Sequence, residues 1–144
     1  MAATLGFEAV GVDSSPRAIN RARRKAAERN LDVRFLLGDA LNLSRLDGRF
    51  DTAIDCGLFH VFGDEDRARY VGSLRSAISP GGRLLMLCFS DRVPGTAGPR
   101  RISRNEIHAS FNDGWNVVSI ELTPMDVLFS EHGLPAWLAV IELA

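Results

Sequence analysis

Three carboxylates in the first half of the chain stand at the ends of apolar runs that have the length of β-strands. They are Asp13, Asp39 and Asp55, and the last is followed by Cys56 and Gly57. In an open parallel sheet, ligands bind beyond the carboxyl ends of the strands. A carboxylate at one strand end can accept hydrogen bonds from both hydroxyls of a ribose, and one at the next can accept from an adenine amino group. The pattern therefore predicts a ligand that contains a ribose and an adenine.

The first two carboxylates also have an ordinary structural interpretation. Asp13 begins Asp-Ser-Ser-Pro, which is typical of a turn that starts a helix, and Asp39 lies in a Gly-Asp-Ala turn. Their occurrence at successive strand ends favours the ligand interpretation, and both interpretations stay open. Gly57 has no side chain and therefore lets the backbone approach a ligand closely.

His60 is the residue with the clearest acid–base chemistry near these strand ends. It stands in Leu-Phe-His-Val-Phe just after the third predicted strand, which makes it a candidate catalytic base or substrate-positioning residue. The alternative is a histidine at a helix start that packs among aromatic side chains. His108 and His132 are predicted to lie on the surface. The aromatic residues that can either line a substrate pocket or fill the core are Phe59, Phe62 and Trp115.

Strand and helix signals alternate along the chain, which favours an α/β fold with a doubly wound, mostly parallel sheet and helices on both faces. Ser15 and Pro16 have the residue types of a helix N-cap and a first helical position, and Asn30 suits a helix end. A second helix is predicted to be capped by Asp64 and to end at residues 80–82. The predicted strands cover residues 8–13, 33–37, 50–55, 83–89, 117–122 and 137–143.

The second half of the chain carries three further structural signals. The run 83–89 is apolar almost throughout, which predicts a strand buried on both faces. Ser103 and Glu106 have the spacing of a capping box and predict a short helix. The last two strands have no helix between them, so we expect an antiparallel pair joined by a loop that contains Pro124 and Pro135.

Residues 91–102 are rich in Pro, Gly and Arg and are predicted to form a loop. Arg92, Arg100 and Arg101 give this loop a positive charge. The loop can close over a site or bind an acidic substrate, and a solvated loop is the alternative.

Composition narrows the class of protein. The chain has 144 residues, which fits a single domain over 1–144, and its net charge of −1 disfavours a nucleic-acid partner or an anionic membrane surface. Cys56 and Cys88 are far apart, so neither a metal site nor a disulfide framework is predicted, and a reducing, cytoplasmic location is expected. The first residues do not have the pattern of a signal peptide.

Four segments, in this order, carry a resemblance to a known family. They are GVDSSPRAINRAR, FLLGDAL, FDTAIDCGLFHVF and SPGGRLLMLCFSD. Together they resemble the class I S-adenosylmethionine-dependent methyltransferases, and the resemblance extends over residues 9–143. It implies S-adenosylmethionine as cofactor, with Asp13 and Ser14 at the ribose and Asp39 and Ala40 at the adenine. It also implies that Asp55 or Cys56 lies near the methionine part.

The chain departs from this family at its start. The family's first strand and its acidic, glycine-rich loop have no counterpart in the 144 residues, so the fold is expected to be incomplete at the N-terminus. That loop holds the methionine carboxylate and amine, so cofactor binding is expected to be impaired. Strand edges left without a neighbour are expected to favour self-association.

The function implied by the resemblance is methyl transfer to an oxygen, nitrogen or sulfur atom of a small molecule. One alternative is a non-catalytic remnant or interaction module that keeps the sheet without the cofactor. Another is a nicotinamide-dependent oxidoreductase, because Asp13 serves that ribose equally well. Asp39 and residues 55–62 match the methyltransferase pattern better than the oxidoreductase pattern.

Overall fold

The computed structural model describes residues 1–96, 98–128 and 130–144. Within them the chain forms two compact units, Met1–Arg45 and Leu46–Ala144, and each is described by itself. A single domain over 1–144 stays a prediction. Among the described residues, no helix is both long enough and apolar enough to cross a membrane.

The first unit is a small β-α-β arrangement. Ser15 caps the helix through a hydrogen bond that its hydroxyl accepts from the Ala18 N–H at 3.3 Å, and Pro16 takes the first helical position. Asn30, just past the helix end, has φ 51°, as expected for a residue that stops a helix. The elements are a 3-10 turn (Ala2–Leu5), β1 (Val10–Asp13), α1 (Pro16–Glu28), β2 (Arg34–Leu37) and a second 3-10 segment (Ala40–Arg45).

β1 and β2 are parallel, and their last residues, Asp13 and Leu37, are partners in the register. Gly11 allows this pair to pack closely, because a Cβ at that position would come within 2.8 Å of the Phe35 ring. Ile19 of α1 is buried. The two strand ends are therefore fixed side by side at one edge of a two-stranded sheet.

The second unit contains a four-stranded mixed sheet in the order β3-β4-β6-β5. β3 and β4 are parallel, whereas β6 is antiparallel to both β4 and β5. This confirms the α/β class and the antiparallel final pair. The elements are β3 (Phe50–Cys56), a 3-10 turn (Phe59–Val61), α2 (Asp64–Ala77), β4 (Ile78–Phe89), α3 (Arg104–Ser110), β5 (Trp115–Val127) and β6 (Ser130–Leu143).

Two predictions about α2 are wrong. Asp64 is the first helical residue, whereas Gly63 occupies the N-cap and makes no side-chain cap bond. The Asp64 carboxylate instead pairs with Arg100 from the loop that follows β4. The helix also ends earlier than predicted, at Ala77, because Ile78 already pairs with Phe50 of β3.

The loop predicted between the last two strands is shorter than expected. Pro124 and Pro135 lie within β5 and β6 and face each other in the register. β5 is the edge strand of the sheet, and the pairing of β6 with β4 stops at Ala136, so neither proline removes a donor that a central ladder needs. Residue 129, between the two strands, lies outside the described residues.

The core of the second unit lies along β4. Leu84, Met86 and Cys88 are fully buried, while the alternate residues Leu85 and Leu87 are only half-buried. The strand is therefore fully buried on one face and only half-buried on the other, which corrects the prediction of a strand buried on both faces.

The capping box of α3 gives a direct test of the fold. The Ser103 hydroxyl accepts from the Glu106 N–H, and the Glu106 carboxylate accepts from the Ser103 N–H. We expect Ser103→Ala to lower the free energy of unfolding by about 1 kcal/mol, measured by urea denaturation. Asn105→Ala, on the exposed side of the same first turn, is the control and should change it by less than about 0.5 kcal/mol. Equal effects of the two changes would contradict the cap.

Candidate functional site

Two of the predicted cofactor carboxylates meet at one edge of the first unit. Asp13 ends β1, and Asp39 follows β2 by two residues. The backbone continues the pairing past the strands, because the Gly38 N–H donates to the Asp13 carbonyl at 3.0 Å. Both aspartates and Ser14 are exposed, while Ala40 is half-buried. The structure therefore brings these four residues to the same strand ends, as the sequence predicts.

Each of these carboxylates also holds a local turn. Asp13 Oδ1 accepts from the Ser15 N–H at 2.7 Å, and Asp39 Oδ1 accepts from the Leu41 N–H at 2.9 Å. A carboxylate has two oxygens and about four acceptor positions. The turn role uses one oxygen of each side chain, so it is compatible with the ligand role, and the binding assignment stays a prediction.

At the end of β3 in the second unit, Asp55 has a different environment. It is 4% exposed, and its carboxylate accepts from the Leu58 N–H at 2.7 Å, the Phe59 N–H at 3.0 Å and the Tyr70 hydroxyl at 3.1 Å. Burial raises the pKa of the Asp55 carboxyl, although the three hydrogen bonds act in the opposite direction. The Asp55 carboxylate therefore makes these three hydrogen bonds within the protein and not to a ligand. The role of Asp55 toward the cofactor's methionine part stays a prediction.

The end of β3 exposes one side chain, and the backbone turns directly after it. Cys56 is exposed. Gly57 has φ 88°, a left-handed conformation that favours glycine, and its N–H donates to the Leu87 carbonyl at 2.9 Å. A Cβ at Gly57 would lie 3.5 Å from both Cε1 and Nε2 of His60. The strand end and the histidine ring are therefore close neighbours.

His60 is buried and packs among aromatic residues. It is 5% exposed, its ring stacks on Phe89 with the centroids 4.6 Å apart, and its Nδ1 accepts from the Phe89 N–H at 2.8 Å. Burial lowers the pKa of the imidazole. These contacts agree with the packing interpretation, and they occupy the ring nitrogen that a base needs. A direct catalytic role stays a prediction.

Burial decides whether the remaining aromatic and histidine residues belong to the core or to the surface. Phe59 is fully buried and stacks on Phe111, which in turn meets Trp115 edge to face. Phe59 and Trp115 therefore belong to the core. The half-buried Phe62 packs against Tyr70, and His108 and His132 are exposed, as predicted.

The sequence did not reveal a buried arginine that ties this region together. Arg67 is 4% exposed, lies over the Phe59 ring at 4.9 Å, and has Glu106 at 3.6 Å. Arg100 of the loop pairs with both Asp64 and Glu106. The loop is therefore attached to α2 and α3 by ion pairs. An arginine four residues into an amphipathic helix normally indicates a solvated face, so the sequence offered no signal for its burial.

Comparison with known proteins decides the family. The family model described as "Methyltransferase domain" matches residues 1–82. The chain belongs to this family. The 2-heptyl-1-hydroxyquinolin-4(1H)-one methyltransferase of Mycobacteroides abscessus is 38% identical over 118 residues, which cover 80% of this chain and 52% of that protein. The chain thus spans about half the length of the curated relatives that it matches.

Solved structures show the same fold. The structure described as "Conversion of a Disulfide Bond into a Thioacetal Group during Echinomycin Biosynthesis" has a TM-score of 0.85 at 31% identity, over 98% of this chain and 69% of that one. Magnesium protoporphyrin IX methyltransferase from Synechocystis PCC 6803, solved with bound SAM, has a TM-score of 0.74 at 19% identity, over 99% and 62% of the two chains. The chain therefore has the class I S-adenosylmethionine-dependent methyltransferase fold.

The bond between Tyr70 and Asp55 is testable by a double-mutant cycle. We expect Tyr70→Phe to lower the free energy of unfolding by about 1–3 kcal/mol, because it leaves a buried carboxylate short of one donor. In the Asp55→Asn background the same change should cost less, because no charge remains to be stabilised. The measurement is urea unfolding of all four proteins. Strictly additive losses would show that the two side chains are not coupled.

Proposed function

We propose that this protein transfers a methyl group from S-adenosylmethionine to a nucleophilic atom of a small molecule. The family match over residues 1–82 supports the reaction class. The observation that supports cofactor binding is the placement of Asp13 and Asp39 at adjacent, exposed strand ends of the first unit. Each carboxylate has one oxygen outside its turn hydrogen bond, which fits hydroxyl and amino donors.

The proposed roles follow the order of the motifs. Asp13, with Ser14, accepts from the ribose hydroxyls, and Asp39, with Ala40, contacts the adenine. Asp55 and Cys56 of the second unit are assigned to the methionine part by the family resemblance. The cofactor, when bound, supplies a methyl group that its sulfonium already activates, so the protein contributes mainly binding, proximity and alignment.

The proposed acceptor is a small molecule with an oxygen, nitrogen or sulfur nucleophile. The relative from Mycobacteroides abscessus, by its name, acts on 2-heptyl-1-hydroxyquinolin-4(1H)-one, which makes that compound a reasonable first acceptor to test. The net charge of −1 gives no reason to propose a nucleic-acid or membrane partner. Cys56 and Cys88 are both free thiols, in agreement with the proposed cytoplasmic location.

Asp13 should dominate the cofactor affinity that the chain has. Hydrogen bonds to a carboxylate contribute about 1.5–3 kcal/mol each, so losing them should weaken S-adenosylhomocysteine binding at least about tenfold in calorimetry. Asp13→Asn is the sharpest change, because the amide oxygen can still accept from the Ser15 N–H. Asp32→Ala, at the opposite end of β2, is the control and should leave the affinity unchanged. Unchanged binding by Asp13→Asn would remove Asp13 from the site.

Asp39 allows the turn role and the ligand role to be separated. Asp39→Asn keeps an oxygen for the Leu41 N–H but loses an acceptor for the adenine amino group. We therefore expect weaker binding of S-adenosylhomocysteine and adenosine with a melting temperature close to that of the parent. If melting temperature and affinity fall together, Asp39 is a structural turn residue only.

The 144-residue chain by itself is expected to bind cofactor weakly, well above micromolar, and to self-associate. Among the described residues, β1 pairs only with β2 and β3 only with β4, so each has one edge without a strand partner. Ile54 on β3 is also 58% exposed. Calorimetry with S-adenosylmethionine and sedimentation velocity measure the two properties. Tight, stoichiometric binding by a monomer would contradict both expectations.

A charged substitution can test whether the edge of β3 mediates self-association. Ile54→Lys should reduce self-association, since a lysine is a common way for edge strands to avoid pairing. Leu138→Lys is the matched control, because Leu138 is a partly exposed apolar residue on β6, which is paired on both sides.

A version extended by the first strand and glycine-rich loop of a close relative should bind cofactor more tightly. Failure of that version to bind would favour the non-catalytic alternative.

A further inference from the structure

Two arginines compete for the same two carboxylate oxygens between α2 and α3. Arg100 binds Asp64 Oδ1 at 2.6 Å and Glu106 Oε1 at 2.5 Å. The Nη1 of Arg67 lies 3.9 Å from the same Asp64 oxygen and 3.6 Å from the same Glu106 oxygen. Arg100 therefore holds both oxygens at hydrogen-bond distance, whereas Arg67 is too far from either of them to form a hydrogen bond.

Arg67 is incompletely paired in this arrangement. It is 4% exposed, and its Nε is buried without a hydrogen-bond partner among the described residues. Its Nη2 donates to the Phe62 carbonyl at 3.3 Å. Burial, and next the positive charge of Arg100, lower the pKa of Arg67. A buried cation with an unpaired donor is costly, so Arg67 gains by taking the two oxygens whenever Arg100 leaves them.

Arg100 belongs to a short segment, residues 98–102, that we call the strap. Its last residue is anchored, because the Ile102 N–H donates to the Phe89 carbonyl at 3.0 Å and the Ile102 carbonyl accepts from the Trp137 Nε1–H at 2.8 Å. Ile102 is fully buried beside the end of β4, whereas residues 98–100 are exposed. The strap is therefore anchored at Ile102 and held against α2 and α3 by the ion pairs of Arg100.

The surroundings leave room for these side chains to exchange partners. A cavity of about 530 Å³ lies between α2 and α3, and all four charged residues of the cluster line it. The side chains of Arg100 and Asp64 are 41% and 83% exposed, so water and salt reach this pair. Glu106 uses its other oxygen, Oε2, in the capping box of α3, so an exchange at Oε1 requires no change in that helix.

We propose that residues 98–102 form an ionic strap with two arrangements, which interconvert when Asp64 Oδ1 and Glu106 Oε1 exchange partners. In the closed arrangement, which is that of the structure, Arg100 binds both oxygens. In the open arrangement Arg67 binds them and Arg100 turns to water. The buried arginine thereby lowers the cost of opening. Salt favours the open arrangement, because it screens the exposed pairs of Arg100 more than the buried pairs of Arg67.

The strap lies at the edge of the sheet where a ligand is expected. β3 and β4 are parallel, and Cys56, at the end of β3, pairs with Leu87 of β4. Ligands of an open parallel sheet bind beyond such strand ends. Opening of the strap therefore loosens the chain that follows β4 at this edge without unfolding the sheet. This conformational control goes beyond the proposed function.

Trypsin reports the opening directly, because cleavage after Arg100 requires its guanidinium in the specificity pocket of the protease. The full chain is digested at increasing NaCl concentration, and the products are identified by mass. Cleavage after Arg45, at the boundary of the two units, corrects for the effect of salt on trypsin. Cleavage after Arg83, in a strand paired on both sides, reports global unfolding. We expect corrected cleavage after Arg100 to rise about two- to fivefold with salt. No salt dependence would overturn the proposal.

Asp64→Asn tests the closed arrangement. It removes the charge from an oxygen that Arg100 holds more closely than Arg67 does, so cleavage after Arg100 should rise about two- to fivefold. Glu65→Gln is the matched control, because Glu65 is exposed in the same first turn and has no ion pair within the part of the chain that the structure describes. Equal rates in the two variants would overturn the role of Arg100.

Arg67→Met tests the exchange itself. It removes the partner that the carboxylates have in the open arrangement, so cleavage after Arg100 should become about two- to fivefold slower than in the parent. An arginine that only stabilises the fold would give the opposite result, because its loss makes the region easier to open. Arg69→Met, which loses an exposed pair with Asp66 on the same helix, is the control and should leave the rate unchanged. Unchanged or faster cleavage in Arg67→Met, with the Arg83 site still protected, would overturn the proposal.

Arg67→Gln replaces the methionine variant if that variant does not fold. Its neutral amide keeps a donor for the Phe62 carbonyl, and slower cleavage after Arg100 is expected again. Urea unfolding of each variant establishes that folded proteins are compared. None of these measurements uses cofactor or acceptor. Their failure therefore leaves the proposed function intact, and absence of cofactor binding leaves the result for the strap valid.

Discussion

The second unit depends on how the chain stabilises the buried carboxylate of Asp55. A charged group that is 4% exposed is costly unless donors replace its water. Those donors are the N–H groups of Leu58 and Phe59 and the hydroxyl of Tyr70. The two N–H groups can reach the carboxylate only if the backbone turns directly after β3, which Gly57 permits with its left-handed conformation. The hydroxyl can reach it only if α2 packs so that Tyr70 faces the strand end. One side chain thus fixes the strand, the turn and the helix together.

This turn determines what His60 can do. The short 3-10 segment that contains His60 begins at Phe59, whose N–H is bound by Asp55. The segment places the imidazole against Phe89 at the end of β4, where ring stacking and the Phe89 N–H orient it. A histidine held at Nδ1 in this way is a donor at Nε2. Its chemistry is therefore set by a backbone group of another strand and not by its own sequence neighbours.

In the first unit, the strand register and hydrogen bonds between residues close in sequence position the two carboxylates. β1 and β2 are parallel and in register to their last residues, so Asp13 at the end of β1 and Asp39 just after β2 stand at one edge. Each acid satisfies a nearby backbone N–H with one oxygen and keeps the other outside the turn. The same side chain can thus start a turn and serve a ligand, which is why the two interpretations of Asp13 and Asp39 do not compete physically.

Local interactions are what the sequence by itself determined. The Ser15 cap, the Pro16 helix start, the Asn30 helix end and the capping box of Ser103 join residues at most a few positions apart, so residue type and spacing were sufficient. The alternation of apolar runs with helices also determined the α/β class. The antiparallel last pair followed because no helix separates its strands.

Contacts between distant residues were decided only by the tertiary structure. His60 and Phe89 are 29 positions apart, Asp55 and Tyr70 are 15 apart, and Arg67 meets Glu106 from another helix. The two prolines of the last strands were acceptable only because one strand is an edge and the other ends its pairing with β4 beside Pro135. The spacing of residues along the sequence predicts none of these contacts. The burial of a side chain, the tautomer of a histidine and the place of a residue in a sheet depend on which elements pack together in three dimensions.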